Sequence, residues 1–274
     1  MKKTLLTICL VWMCFSLSAQ KIIDLSGKWS FSIDRQDNGE KEKWFSHTLN
    51  DFINLPGSMP EKLKGDEVTA KTQWTGSLYD SSYYYNPYME KYRKEGNIKF
   101  PFFLTPDKHY VGAAWYQKEV NIPADWKGER ILLFLERPHI ETTVWVNGQK
   151  TGMQNSLCVP HQYDITRYVR PGKCTITIRV DNRIKEINVG PDSHSITDQT
   201  QGNWNGIVGR ICLQTTPKTY FDDIQIYPEP EQKLARVKVV IKGTGTAKVK
   251  LSAESFNTDK KHIVPALSLI HISE

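Results

Sequence analysis

The chain has 274 residues, of which 39% are hydrophobic and 24% charged, and it carries a formal net charge of +6 at pH 7. That balance excludes a disordered or collagen-like chain and describes one able to bury a core. Its 36 Lys and Arg are scattered among 30 Asp and Glu rather than gathered in a stripe, so the electrostatic footprint of a nucleic-acid binder is absent.

At the start, Met1-Lys2-Lys3, the apolar run Leu5 to Phe15 and Ser16-Leu17-Ser18-Ala19 supply the charged, greasy and small-residue parts of a secretory signal, with cleavage expected after Ala19. The apolar part is too short for an ordinary membrane span, and no later segment qualifies as one. The expected product is exported, periplasmic or extracellular, with no membrane span after signal removal and a formal charge of +4 once Lys2 and Lys3 are lost. A leader retained as an anchor is the alternative. Cys158, Cys174 and Cys212 lack zinc-type spacing and cannot all pair; they are read as small buried hydrophobes, although an oxidising compartment permits one disulfide.

Further along, Arg130 to Glu136 and Thr142 to Gly148 are rich in β-branched and aromatic residues, and the second run ends in Asn147-Gly148, the pair best able to take positive φ in a tight hairpin. Arg170-Pro171-Gly172 then starts a run in which Cys174, Ile176, Ile178 and Val180 alternate with Thr175, Thr177, Arg179 and Asp181. This predicts a strand lying on a core and wet on its other side. Gly and Pro punctuate throughout and no long 3.6-residue apolar period occurs, so the fold class is all-β. Trp29, Phe31, Trp115, Phe134 and Trp145 sit in strand-like runs and are core candidates. A boundary falls near Thr216-Pro217, after which Tyr220 to Pro228 and Ala235 to Ser252 read as new strands, with Val237, Val239 and Ile241 alternating against Lys238, Val240 and Lys242. An immunoglobulin-like sandwich needs about 100 residues, and fewer than sixty follow the boundary.

Several pieces line up in order: Leu25-Ser-Gly-Lys-Trp-Ser-Phe31, Leu55-Pro-Gly57, Ala114-Trp-Tyr-Gln-Lys-Glu-Val120, Val144-Trp-Val-Asn-Gly148 with Gly152 behind it, Tyr163-Asp-Ile-Thr166, and Gly202-Asn-Trp-Asn-Gly-Ile-Val-Gly209. Together they resemble the amino-terminal sugar-binding jelly roll of glycoside hydrolase family 2, which contains β-galactosidases, β-glucuronidases and β-mannosidases. The resemblance implies a signal peptide over 1–19, a galactose-binding-like jelly-roll sandwich over 20–218, and an incomplete immunoglobulin-like sandwich over 219–266. Residues 267–274 are expected to be a non-native tail, because Ser268 to Glu274 reads like translated adapter sequence.

The polar loop Ser193 to Asn205 gathers hydroxyls, amides, a carboxylate and an indole, the groups that hydrogen-bond sugar hydroxyls and cover a sugar's C–H face. Asp198, Gln199, Gln201, Asn203, Trp204 and Asn205 are the candidates for sugar contact. In the family the equivalent stretch carries an acid that reaches the neighbouring barrel's active site; Thr200 stands at that place here, with Asp198 two residues earlier. A turn-rich loop held by its own side chains is the competing reading. Asn155 and His161 form a second candidate group, with a structural role the rival for His161. The aromatic insertion from Tyr79 to Phe103 either lines an extended sugar site or packs against a barrel.

Retaining hydrolysis needs two carboxyl groups about 5–5.5 Å apart, and the resemblance places both on a later barrel. No catalytic residue is therefore named. Glu136 and Glu141, flanking Arg137-Pro138-His139, are expected to be solvated or salt-bridged. The expected partners are carbohydrate and the catalytic barrel of the same polypeptide. No cofactor is expected; some family members hold a cation near the active site, but no cluster here has the carboxylate density of a calcium cage. The competing classes are a free-standing carbohydrate-binding module and a structural β-sandwich.

Overall fold

The computed structural model describes residues 20–76, 81–185, 189–190, 192–232, 234–243, 246–254 and 263–271. The expected signal segment, Tyr79 and Asp80 of the insertion and residues 272–274 of the expected tail lie outside the described residues.

Short alternating runs form the antiparallel strands β1 (Ile22–Asp24), β2 (Gly27–Asp34), β3 (Asp51–Leu55), β4 (Gly57–Ser58), β5 (Asp66–Glu67), β6 (Lys108–His109), β7 (Ala113–Ile122), β8 (Arg130–His139), β9 (Glu141–Val146), β10 (Gln149–Asn155), β11 (His161–Asp164), β12 (Gly172–Asp181) and β13 (Gly206–Thr216). All but β5 and β6, which pair with each other as a separate two-stranded ribbon, make two packed layers. One sheet runs β1-β13-β8-β11, with β4 beside β13; the other runs β10-β9-β12-β7-β2-β3. Inward-facing residues of both, among them Leu133, Leu135, Ile207 and Leu213 against Trp29, Val144, Ile176 and Ile178, form one core. The five aromatic core candidates are all buried.

The β9–β10 reversal is the tight hairpin expected of Asn147-Gly148, whose φ angles are 50° and 76°. The Asn147 side chain anchors it by accepting the Thr175 N–H at 2.9 Å. At the other end of the sandwich, a Cβ on Gly206 would meet the Gly57 carbonyl at 2.5 Å, so glycine is what lets β4 close against β13.

One expectation fails. The polar face of β12 is not wet: Thr177, Arg179 and Asp181 are all buried. Here the segment after β2 folds across the sheet, where Trp44, Phe45 and Leu49 pack on Trp115 and Trp145, and the Gln117 amide donates to the His47 carbonyl at 2.9 Å. β12 is a central strand between β9 and β7, so covering it buries both its faces. The cysteines are also corrected in part: Cys174 and Cys212 are buried, Cys158 is exposed, and all three are unpaired.

Beyond the sandwich, β14 (Tyr220–Glu229) pairs with β15 (Leu234–Lys242), and β16 (Thr246–Glu254) pairs with β17 (Ile263–His271), each as a two-stranded sheet. The backbone of 267–271 is thus part of a strand. Among the described residues, no helix is long and apolar enough to cross a membrane, and no group of three metal-ligating side chains is placed to hold an ion.

Candidate functional site

The loop between β12 and β13 and the long connection from β5 to β6, which contains the insertion, are tied together, and Asp198 is the knot. Its Oδ2 accepts the Thr75 N–H at 2.7 Å and its Oδ1 accepts the Asn203 N–H at 2.7 Å, while its own N–H donates to the Thr75 carbonyl at 3.1 Å. The carboxyl is 2% exposed. His109, whose Nε2 lies 3.9 Å from Oδ2, stands beside it. Burial pushes the Asp198 carboxyl above the ordinary carboxylate range, and the hydrogen bonds and the neighbouring imidazole oppose that shift. Three further bonds join the same two segments: the Thr197 hydroxyl to the Thr75 carbonyl, the Asn203 amide to the Thr75 hydroxyl, and the Phe103 N–H to the Gln199 carbonyl, at 3.2, 3.0 and 3.3 Å.

Between them lies a cavity of about 370 Å³ lined by Asp198, Gln201, Asn203 and Trp204 from the loop, Leu104 to Asp107 between the insertion and β6, Ser58 at the end of β4 and Glu61 after it. The Trp204 indole is half-buried and stacks on His139, ring centres 4.6 Å apart. The His139 Nδ1–H donates to the Trp204 carbonyl at 2.7 Å, which fixes the tautomer and leaves Nε2 a bare acceptor without a partner. Burial lowers the His139 pKa. Asn203 is likewise buried with its Oδ1 unpartnered. A polar hollow with an indole on one wall is chemically suited to a hydroxylated ring.

Four of the eight sequence-derived candidates therefore meet at one place, and four do not. Gln199 is half-buried and contributes its backbone carbonyl to the insertion. Asn205 is 1% exposed and lies within the sandwich, its amide donating to the Gly112 and Val180 carbonyls at 2.9 Å and its Oδ1 accepting the Tyr116 hydroxyl at 2.8 Å. With its hydrogen-bonding groups engaged in this way, it holds the fold rather than a ligand. Asn155 is turned to Glu141 at 3.4 Å. His161 is 0% exposed, with Nδ1 2.6 Å from the Thr142 hydroxyl, and its pKa is lowered by burial to about 4. Neither lines the hollow. The Thr200 hydroxyl donates to the His194 carbonyl at 2.8 Å.

What sequence reasoning missed is the other wall, Leu104 to Asp107 with Ser58 and Glu61. No local signal marks these residues, because strand pairing brings them to the loop. Glu136 and Glu141 are salt-bridged as expected: Glu136 pairs with the Arg210 guanidinium at 3.2 Å, and Glu141 lies 2.8 Å from Lys185 and 3.5 Å from Arg179.

Residues 22–217 match the family described as "Glycosyl hydrolases family 2, sugar binding domain". The chain is 24% identical to the β-glucuronidase of Homo sapiens over 266 residues, which is 87% of this chain and 35% of that protein. It is 25% identical to that of Paenibacillus borealis over 222 residues, 76% of this chain and 31% of that protein. Among solved structures, a β-glucuronidase from an uncultured Clostridium sp. superposes with a TM-score of 0.58 at 19% identity, covering 94% of this chain and 40% of that one. The Ruminococcus gnavus β-glucuronidase in complex with D-glucuronic acid gives 0.57 at 17% identity, covering 90% and 39%. The chain thus spans about a third of the length of the curated relatives it matches, and the sandwich with its polar loop belongs to glycoside hydrolase family 2 as that family's sugar-binding domain.

Proposed function

We propose that this chain is the amino-terminal, non-catalytic, sugar-binding portion of an exported exo-β-glycosidase that cleaves O-glycosidic bonds in carbohydrate breakdown. The observation that carries the reading is the hollow built by the family's own loop, with Trp204, Gln201 and Asp198 facing Asp107 across it. Two of the three carboxylates that line it are held by the fold, which leaves Asp107 without a second open carboxyl group beside it. Both Asp198 oxygens are engaged by backbone N–H groups, and Glu61 accepts the Ser58 N–H at 3.3 Å and pairs with Lys62 at 2.7 Å. Retaining chemistry requires one free nucleophile and one acid of raised pKa about 5–5.5 Å from it, so the reactive pair is assigned to polypeptide beyond this chain. The relatives named above are β-glucuronidases, which makes β-glucuronides the first substrates to test.

The test compares the purified chain with the uninterrupted gene product on aryl β-glucuronide, β-galactoside and β-mannoside. We expect no turnover by the chain and hydrolysis of at least one substrate by the longer product. Reproducible hydrolysis by the chain alone overturns the non-catalytic assignment; a longer product inert on all three points to a binding module instead.

A further inference from the structure

The insertion is a packed body with one bare side. Trp74 sits edge-on to Phe100 and Phe102 at ring-centre distances of 4.8 and 5.0 Å, and Tyr83 leans on Phe100 at 4.9 Å. Those rings hold one another. Phe103, next in the chain, is left out of that cluster and is 83% exposed, and Leu104 is 71% exposed. A second cavity of about 560 Å³ opens there, lined by Phe103, Lys99 and Glu67, and its far wall is Thr105, Pro106 and Asp107. Those same three residues form the near wall of the loop cavity. Two hollows of ligand-site size therefore share one thin ridge, with an aromatic face on each side of it: Trp204 in the first and Phe103 in the second.

Charge narrows what fits. Glu61, Asp107 and Asp198 line the first hollow, but Glu61 is paired with Lys62 at 2.7 Å and both Asp198 oxygens accept backbone N–H groups, so the exposed Asp107 carboxylate is the one most open to a ligand; in the second, Lys99 stands with Asp107 and with Glu67, which is paired with Lys108. An anionic sugar in the first hollow would face the exposed Asp107 carboxylate, whereas a neutral hydroxyl can donate to it. Each hollow offers an aromatic face for a pyranose's C–H side and acceptors for its hydroxyls.

Resting on the reading of the loop as a saccharide site, we propose that the two hollows form one extended cleft for two consecutive neutral pyranose units, one over Trp204 and the next against Phe103. The protein then selects an oligosaccharide whose units at this cleft are uncharged, rather than a lone terminal sugar. The ridge at Pro106 separates the units, and Asp107, lining both hollows, serves hydroxyls on either side of the linkage.

Isothermal titration of the purified chain with cellobiose, lactose and β-1,4-mannobiose, against glucose, galactose, mannose and glucuronic acid, tests this. At least one disaccharide is expected to bind tenfold or more tightly than its monosaccharide, with glucuronic acid no tighter than glucose. Phe103→Ala should bring that disaccharide down to the monosaccharide level with an unchanged melting temperature, since the ring is exposed; Gln201→Ala should weaken both by a similar factor. Equal affinity for one unit and two, a ratio that survives Phe103→Ala, or preferential binding of glucuronic acid overturns the extended cleft while leaving the loop a sugar site. Absence of heat with every sugar overturns both.

Discussion

Single side chains near the site divide by whether the fold has already taken their hydrogen-bonding groups. Asp198 and Asn205 carry the chemistry that sugar binding needs, yet their polar atoms are engaged by backbone and core partners. Gln201 and Trp204 remain partly open to the hollow. His161 shows what burial does to a titratable group. Held neutral with its pKa lowered to about 4, it resists protonation in the fold, while the unfolded chain takes up the proton near pH 6.5. The neutral ring's contribution is complete above about pH 6.5, because neither state is then protonated, and it is lost as pH falls toward 4. A shift of this size corresponds to on the order of 3 kcal/mol. Urea unfolding at pH 7.5 and 4.5 should show His161→Gln losing less stability over that interval than the parent, by about 2–3 kcal/mol; identical pH dependence of the two proteins would sink this assignment.

At the scale of elements, the outer face of β12 matters most. Arg179, on this strand, lies 2.6 Å from Asp37, 3.1 Å from Asp181 and 3.5 Å from Glu141, and Arg183 and Lys185 close the network at 2.6 and 2.8 Å from Asp181. Burial alone would raise the Asp181 carboxyl; hydrogen bonds from Arg183 and Lys185 and the Arg179 charge overcome that and hold it well below the ordinary range. The network pins the start of the loop that ends in the candidate site. Removing one partner of a buried ion pair costs about 3–5 kcal/mol, and since Lys185 and Arg183 remain, Arg179→Ala should fall at the lower end, about 3 kcal/mol. Lys173→Ala, which breaks the exposed pair with Glu119, should cost under about 1 kcal/mol. Chemical denaturation of the two variants side by side decides it, and equal losses would show that the network is not buried enough to matter.

The molecule as a whole combines a closed sandwich with two hairpins of a different character. In the first hairpin Phe221, Ile224, Ile226 and Tyr227 are between 50% and 65% exposed, a row of apolar side chains on a two-stranded ribbon of the kind that promotes association. Residues 20–218 expressed alone should stay monomeric at concentrations where the longer chain aggregates, which size-exclusion chromatography with light scattering reads directly; equal aggregation would move the liability into the sandwich. The strands, the Asn147-Gly148 reversal, the aromatic core and the family were legible in the sequence, because alternation, turn chemistry and ordered motifs are local properties. The candidate site was legible only in part. Asn203, Trp204 and Asn205 are neighbours in the chain, and composition cannot distinguish a residue lining a hollow from one bonded inside the sandwich. Nor does alternation reveal that a distant segment covers the polar face of β12, or that Leu104 to Asp107 form the second wall. Those outcomes are set by which backbone groups approach each side chain once residues far apart in the chain pack together, and that is decided only in three dimensions.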